Sequence, residues 1–242
     1  MAYGTNAPFG LKPFNSITGA GYWTSKLNKY NIGCNAAGAT YKQNIFQNDP
    51  LGFNTTGADI GRGTIAPLVL AMAGGGNNTG FPLGVFQGCE YFDTAGNFQT
   101  SNHWVGGTPI LPGSRVKALV IDDPMAVFDV QASTSGNQLS DTQFWQDEIG
   151  TNVNCAVAVG GVANNPGTGS LMTGISGYYA DGETNDNTST RHLKIIGITP
   201  NPNNRYDPIP LVLADALSYV NLLVVFNVHI YKSVGVLQTA TS

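Results

Sequence analysis

The sequence predicts an all-β protein: a mainly antiparallel β-sandwich or jelly-roll-like domain over residues 49–242, with one short helix, preceded by an extended N-terminal arm over residues 1–48. Three observations predict it. From Ile45 onward, short β-branched and aromatic runs alternate with Gly/Asn/Pro clusters, in a chain holding 31 Gly and 13 Pro. The stretch YVNLLVVFNVHIYK sets Val224, Phe226, Val228 and Ile230 against Asn227, His229 and Tyr231, the period of a strand with one buried face. The first 48 residues show neither helical nor strand period, and no acidic residue precedes Asp49. At 242 residues the chain can bury a sizeable core, and no internal repeat is visible.

In chain order, the arm comes first. Phe9, Phe14, Tyr22, Trp23, Tyr30 and Phe46 stand among Gly, Asn and Ser, with Lys12, Lys26, Lys29 and Lys42 between them. Rings and cations with no local core need another surface, either the chain's own domain or a second protein. Strand-like pieces follow: GTIAPLVLAMA, LGVFQGCEYFD, TAGNFQTSNHW, RVKALVID and AVFDVQAS. Between the last two, Asp122-Asp123-Pro124 reads as a corner in which an Asp caps turn amides and Pro fixes φ. The short helix is placed at LSDTQFWQDEIG, where Ser140 and Gln143 have capping-box spacing and Gly150 is a stop. NCAVAVGGVA, SLMTGISGYYA and HLKIIGITP are further strands; PLVLADALSYV reads equally as a short helix or a packed loop.

The chemistry-bearing residues are few. Adjacent Asp122 and Asp123 would point to opposite faces of an extended chain, so they are a turn and not an acid pair. His103, His192 and His229 are the only histidines, and His229 is expected to be solvent-facing or a satisfied hydrogen-bonder. No nucleophile elbow, zinc-protease or phosphate-loop motif occurs, and GGGNNTG is a flexible turn, so neither catalytic residues nor a cofactor is assigned. In DGETNDN, Asp181, Glu183 and Asp186 fit either a Ca²⁺ loop without EF-hand order or a solvated hairpin tip, the latter being preferred. Cys34, Cys89 and Cys155 read as buried free thiols. A formal charge of −4 with no basic stripe argues against nucleic acid. The start MAYGTNAPFGLKPF lacks the pattern of a signal peptide and no run reaches membrane-spanning length, so a cytoplasmic origin is expected, with the sequons at Asn54, Asn77 and Asn187 unused. Trp23, Trp104, Tyr178 and Tyr179 are the aromatic platforms a glycan-binding module would use. With 11% charged residues, little repulsion keeps copies apart, which favours a homo-oligomer or a large partner.

Several segments in order resemble a family: NAPFGLKP at residues 6–13, GYWTSKLNKYNI, IFQNDP, LGVFQGCEYFD, Trp104, VIDDPMAVFDVQ and LKIIGITPNPNN. Together they are similar to tailed-phage virion proteins that act as capsid decoration or cement proteins. The resemblance covers residues 6 to about 231, with a longer middle and the tail SVGVLQTATS as departures. It implies no enzyme, an antiparallel β domain on the virion exterior, the major capsid protein as partner, and a homo-oligomer, a trimer before a dimer. The arm residues expected to touch the capsid are Phe9, Lys12, Phe14, Tyr22, Trp23, Lys26, Lys29 and Tyr30. The alternative from another class is a glycan-binding β-sandwich adhesion module of the virion or tail.

Overall fold

The computed structural model describes residues 7–17, 27–34, 37–38, 40–53, 64–68, 82–133, 148–157, 169–186, 191–199 and 220–232. In chain order the strands are β1 (Lys12–Ser16), β2 (Asn28–Ile32), β3 (Pro50–Phe53), β4 (Ile65–Pro67), β5 (Gly84–Phe92), β6 (Phe98–Ser101), β7 (Val116–Ile121), β8 (Ala126–Ser133), β9 (Asn152–Val157), β10 (Tyr178–Asp186), β11 (Leu193–Ile198) and β12 (Asn221–Phe226). No helix occurs among the described residues. The fold is therefore all-β. The expected helix at residues 139–150 falls mostly outside them, as do PLVLADALS and GGGNNTG; residues 148–150 are a turn.

The strands form two six-stranded sheets. In the first, β8, β10, β9, β11 and β12 pair in that order and β12 returns to β8, which closes the sheet on itself; β1 is added to the outside of β8. In the second, β3, β4, β2, β7 and β5 close in the same way through β3–β5, and β6 is added to β5. The arrangement is barrel-like and differs from the sandwich or jelly roll expected from the sequence. Alternation specifies which face is buried, and a strand in a closed ring shows the same alternation as one in a sandwich.

Each ring is filled by its own alternating residues. Ala126, Phe128, Val130 and Ala132 of β8 meet Val153 and Cys155 of β9, Ala180 of β10, Leu193 and Ile195 of β11, and Leu222, Val224 and Phe226 of β12. Phe128 and Phe226 pack edge to face at 5.3 Å across the β8–β12 seam. The second core gathers Ile32, Leu51, Ile65, Phe86, Cys89, Trp104, Val116, Ala118 and Val120. Val85 and Ile121 belong to strands of the second sheet but face the first core, so the two rings share side chains along their junction. Between them runs the expected Asp-Asp-Pro corner: β7 ends at Ile121, β8 starts at Ala126, and Asp123 Oδ1 accepts a 2.8 Å bond from the Met125 amide.

The segment expected to be an arm contributes two sheet strands. β1 pairs antiparallel with β8 and β2 with β7, while Leu11 is fully buried in the first core. Unpaired backbone amides and carbonyls find their partners in the sheets, and one- or two-residue contributions to a core leave no period to read. Two further differences concern the ends of elements. Asp181–Asp186 belongs to β10, with an irregular register against β9, and is not a hairpin tip. β12 stops at Phe226, so Val228 and Ile230 leave the strand, and His229 turns inward to full burial.

Candidate functional site

The junction between the rings is organised by residues 46–49. The Gln47 amide donates to the Gly174 carbonyl and the Ser176 amide to the Gln47 carbonyl, at 2.8 and 2.9 Å. The Asn48 amide donates to Phe86 at 2.7 Å, and its carbonyl accepts from Leu11 at 2.9 Å. Asn48 has φ 72°, alone among the described non-glycine residues in the left-handed region. Four bonds radiating from a tight loop hold it there. Gly10 crosses directly above, with φ +74° and room for no side chain: a Cβ would lie 2.4 Å from the Asn48 carbonyl oxygen.

Asp49 lies at the base of this loop, 1% exposed. Its Oδ2 accepts from the Phe46 amide at 2.8 Å; Oδ1 meets no partner at hydrogen-bond geometry, although the Ser176 hydroxyl is near enough to favour the carboxylate. Burial dominates and pushes the Asp49 carboxyl up to about 8, so it is mostly protonated at neutral pH. The neighbouring Cys155 thiol and Tyr178 hydroxyl are raised in turn by burial and by Asp49. Tyr178 donates to the Leu68 carbonyl at 3.0 Å, another tie between the sheets.

Beside the loop opens a cleft of about 610 Å³, lined by Phe9, Lys12, Asn48, Gln87, Asp129 and Ile175 among others. Asn48 Nδ2 donates to the Phe9 carbonyl at 3.0 Å and Gln87 Nε2 donates to Asn48 Oδ1 at 3.2 Å. Asp129 is raised by burial, against the opposing effects of a 2.6 Å bond from the Thr199 hydroxyl and the Lys12 ammonium. At the rim, residues 170–175 form a turn tied by Gly174 to Ser170 at 2.7 Å, Ser170 to Ile175 at 2.9 Å, and Asn102 Nδ2 to the Thr173 carbonyl at 2.9 Å. On it Leu171 is 55% and Met172 97% exposed. This tip was read from sequence as strand; glycine-bounded apolar residues do not distinguish a strand from a displayed turn.

Of the residues assigned to capsid contact, Phe9 and Lys12 line this cleft, and Phe14 on β1 is 40% exposed. Lys29 lies elsewhere, on β2, paired with Glu90 at 2.6 Å. Tyr30 is half-buried; its hydroxyl donates to Asp122 Oδ2 and lies 2.9 Å from the Tyr231 hydroxyl. Asn28 Nδ2 completes this second, smaller cluster with 2.9 Å bonds to both Asp122 oxygens. Tyr22, Trp23 and Lys26 lie outside the described residues.

The aromatic platforms expected of a lectin are core residues: Trp104, Tyr178 and Tyr179 are 1%, 3% and 5% exposed. Trp23 lies outside the described residues. His229, expected at the surface, is buried against Phe226 and Tyr231, with Nδ1 accepting from the Tyr231 amide at 3.1 Å. Burial lowers both His229 and His192 to about 4. The cysteines are free, Cys89 and Cys155 buried and Cys34 half-buried. Among the described residues no group of three or more His, Cys, Asp or Glu side chains is placed to hold a metal, and no helix is long and apolar enough to cross a membrane.

No protein-family model, no curated protein and no solved structure matches this chain.

Proposed function

We propose that the protein is a non-enzymatic virion component, a capsid decoration or cement protein that seats on the outer surface of a major-capsid-protein shell as a homo-oligomer and bridges neighbouring capsomers. The observation that carries this reading is the Leu171–Met172 tip. Two large apolar side chains are held out to solvent on a turn that is hydrogen-bonded to Gln47 and Asn102 and leads into β10, beside the cleft that Phe9 and Lys12 line. Met is suited to irregular partner surfaces, and a pre-formed turn loses little entropy on docking. Covering each of these side chains fully is worth about 1.5–3 kcal/mol. In an oligomer the second and third such contacts become intramolecular, so modest sites add to firm attachment. The resemblance of the ordered sequence segments to decoration proteins is in keeping with the same reading.

The test adds the purified protein to undecorated mature heads of its own phage. Saturable, stoichiometric decoration is expected, weakened at least tenfold by Leu171→Ser/Met172→Glu, a loss of at least about 1.4 kcal/mol. Heads that remain bare at micromolar protein would remove the reading. Deleting residues 1–48 is not an equivalent test, because it takes β1 and β2 out of the sheets.

Glycan binding keeps one support of its own. Tyr231, 57% exposed, stands beside Tyr30, Asp122 and Asn28, an aromatic surface next to hydrogen-bonding side chains. A sugar array that retains the wild type but not Tyr231→Ala, together with bare heads, would favour that role over decoration.

A further inference from the structure

Among the described residues ring closure removes most sheet edges, and β6 is an edge that remains. Among the described strands it pairs with β5 alone, by Cys89↔Ser101, Glu90↔Thr100, Tyr91↔Gln99 and Phe92↔Phe98. The other added strand, β1, is blunted by Pro13 and by a register irregularity at Pro13/Asn15. β6 has neither device: its sequence is Phe-Gln-Thr-Ser, with no Pro, no charge and no bulge. It also sits on a stiff hairpin. The Asp93 carboxylate accepts from the amides of Ala95 and Asn97 at 2.9 Å each, and from Asn97 Nδ2 and Gln99 Nε2 at 3.2 and 3.0 Å. On the outer face, Phe92 and Phe98 are 42% and 58% exposed and meet edge to face at 5.6 Å. Leu111, 36% exposed, is tied to Phe92 by a 3.0 Å hydrogen bond from its amide to the Phe92 carbonyl.

We propose that β6 is a self-association edge, through which two copies pair their Phe98–Ser101 strands antiparallel about a twofold axis centred on Gln99.

The outward row of hydrogen-bonding groups on an edge strand is satisfied by another strand, and the sequence of β6 is complementary to itself. Opposed residues in an antiparallel pair share a face. With Gln99 opposite Gln99 of the second copy, Phe98 therefore stands beside Thr100 of the second copy, twice over. Aromatic and β-branched residues are a favourable cross-strand pair. Charge is compatible with this register as well. At about 3.3 Å per residue and 4.8 Å between strands, the nearest acidic groups, Glu90 and Asp93, stay roughly 15–20 Å from their counterparts. That is about twice the screening length at physiological salt. A parallel arrangement would bring the two Asp93 turns to the same end of the joined strands. The axis is twofold, so the dimer takes precedence over the trimer expected from the sequence.

The inference deepens the oligomeric part of the decoration role and rests on it only for its purpose. Dimerisation is measured in solution and decoration on heads, so either can fail alone. In sedimentation the full chain should be a dimer at micromolar concentration. Phe98→Lys and Thr100→Lys, both at exposed positions, should each shift it to monomer while the circular dichroism spectrum stays unchanged. Independently, Gln99→Cys should form a covalent dimer on mild oxidation, because directly opposed residues have Cα atoms about 4.5–5.5 Å apart, within disulfide reach. The wild type, with the same three native thiols, should stay uncrosslinked. A monomeric or trimeric wild type, or Gln99→Cys that oxidises without dimer-sized product, would overturn the proposal.

Discussion

Replacing Asp49 with Asn should change how stability depends on pH more than any other single substitution at the junction. The carboxyl is raised from 3.8 to about 8 because it is taken out of water with one strong donor, the Phe46 amide. A carboxyl whose pKa is higher in the folded than in the unfolded chain binds more protons when folded, so the contribution of Asp49 to stability is greatest below pH 4 and falls as pH rises towards 8. The slope approaches 1.36 kcal/mol per pH unit, and across the interval the loss is on the order of 5 kcal/mol. Asn keeps an oxygen for the Phe46 amide and cannot ionise. Urea unfolding of both proteins at pH 5, 6, 7 and 8 measures the effect. The histidines act in the opposite direction but cancel in the difference between the two proteins. Asp49→Asn should gain on the wild type with each step in pH and be several kcal/mol more stable at pH 8. Parallel stability curves for the two proteins would refute the claim that Asp49 is protonated in the fold.

Other substitutions probe separate parts of the structure. Since His192 and His229 are lowered to about 4, the folded chain binds fewer protons than the unfolded one between pH 4 and 6.5, and stability should decline on acidification through that window; His229→Gln should make the decline shallower in thermal melts between pH 4 and 7. Gly10→Ala imposes φ +74° on a residue with a Cβ and drives that atom against the Asn48 carbonyl, so a loss of about 2 kcal/mol or more is expected by chemical denaturation. Phe128→Ala empties the seam between β8 and β12 and should cost about 3–5 kcal/mol. Leu171→Ser/Met172→Glu, by contrast, should stay within about 0.5 kcal/mol of the wild type in the same assay, because neither side chain is buried.

Much of the strand content was legible, for a local reason. β7, β8, β11 and most of β12 carry their own alternation, and the Asp-Asp-Pro corner carries its own turn chemistry. Where several long-range contacts act on a short stretch, the sequence was silent or misleading. His229 alternates on paper with Val228 and Ile230, yet the chain turns at Asn227 and buries the ring. IFQNDP was visible as a segment, but that Asn48 and Asp49 join two rings depends on Phe86, Leu11, Gly174 and Ser176, which are distant in sequence.

By itself the sequence determined an all-β chain of low charge, the corner between β7 and β8, and the buried face of β12 at Val224 and Phe226, because each follows from period, composition or the geometry of adjacent residues. Only the tertiary structure decided that the sheets close into rings, that residues 12–16 and 28–32 belong to those sheets, and that Met172 and the β6 edge face outward. Closure and exposure depend on which strands pair across long separations, and the same alternating pattern is compatible with several such pairings.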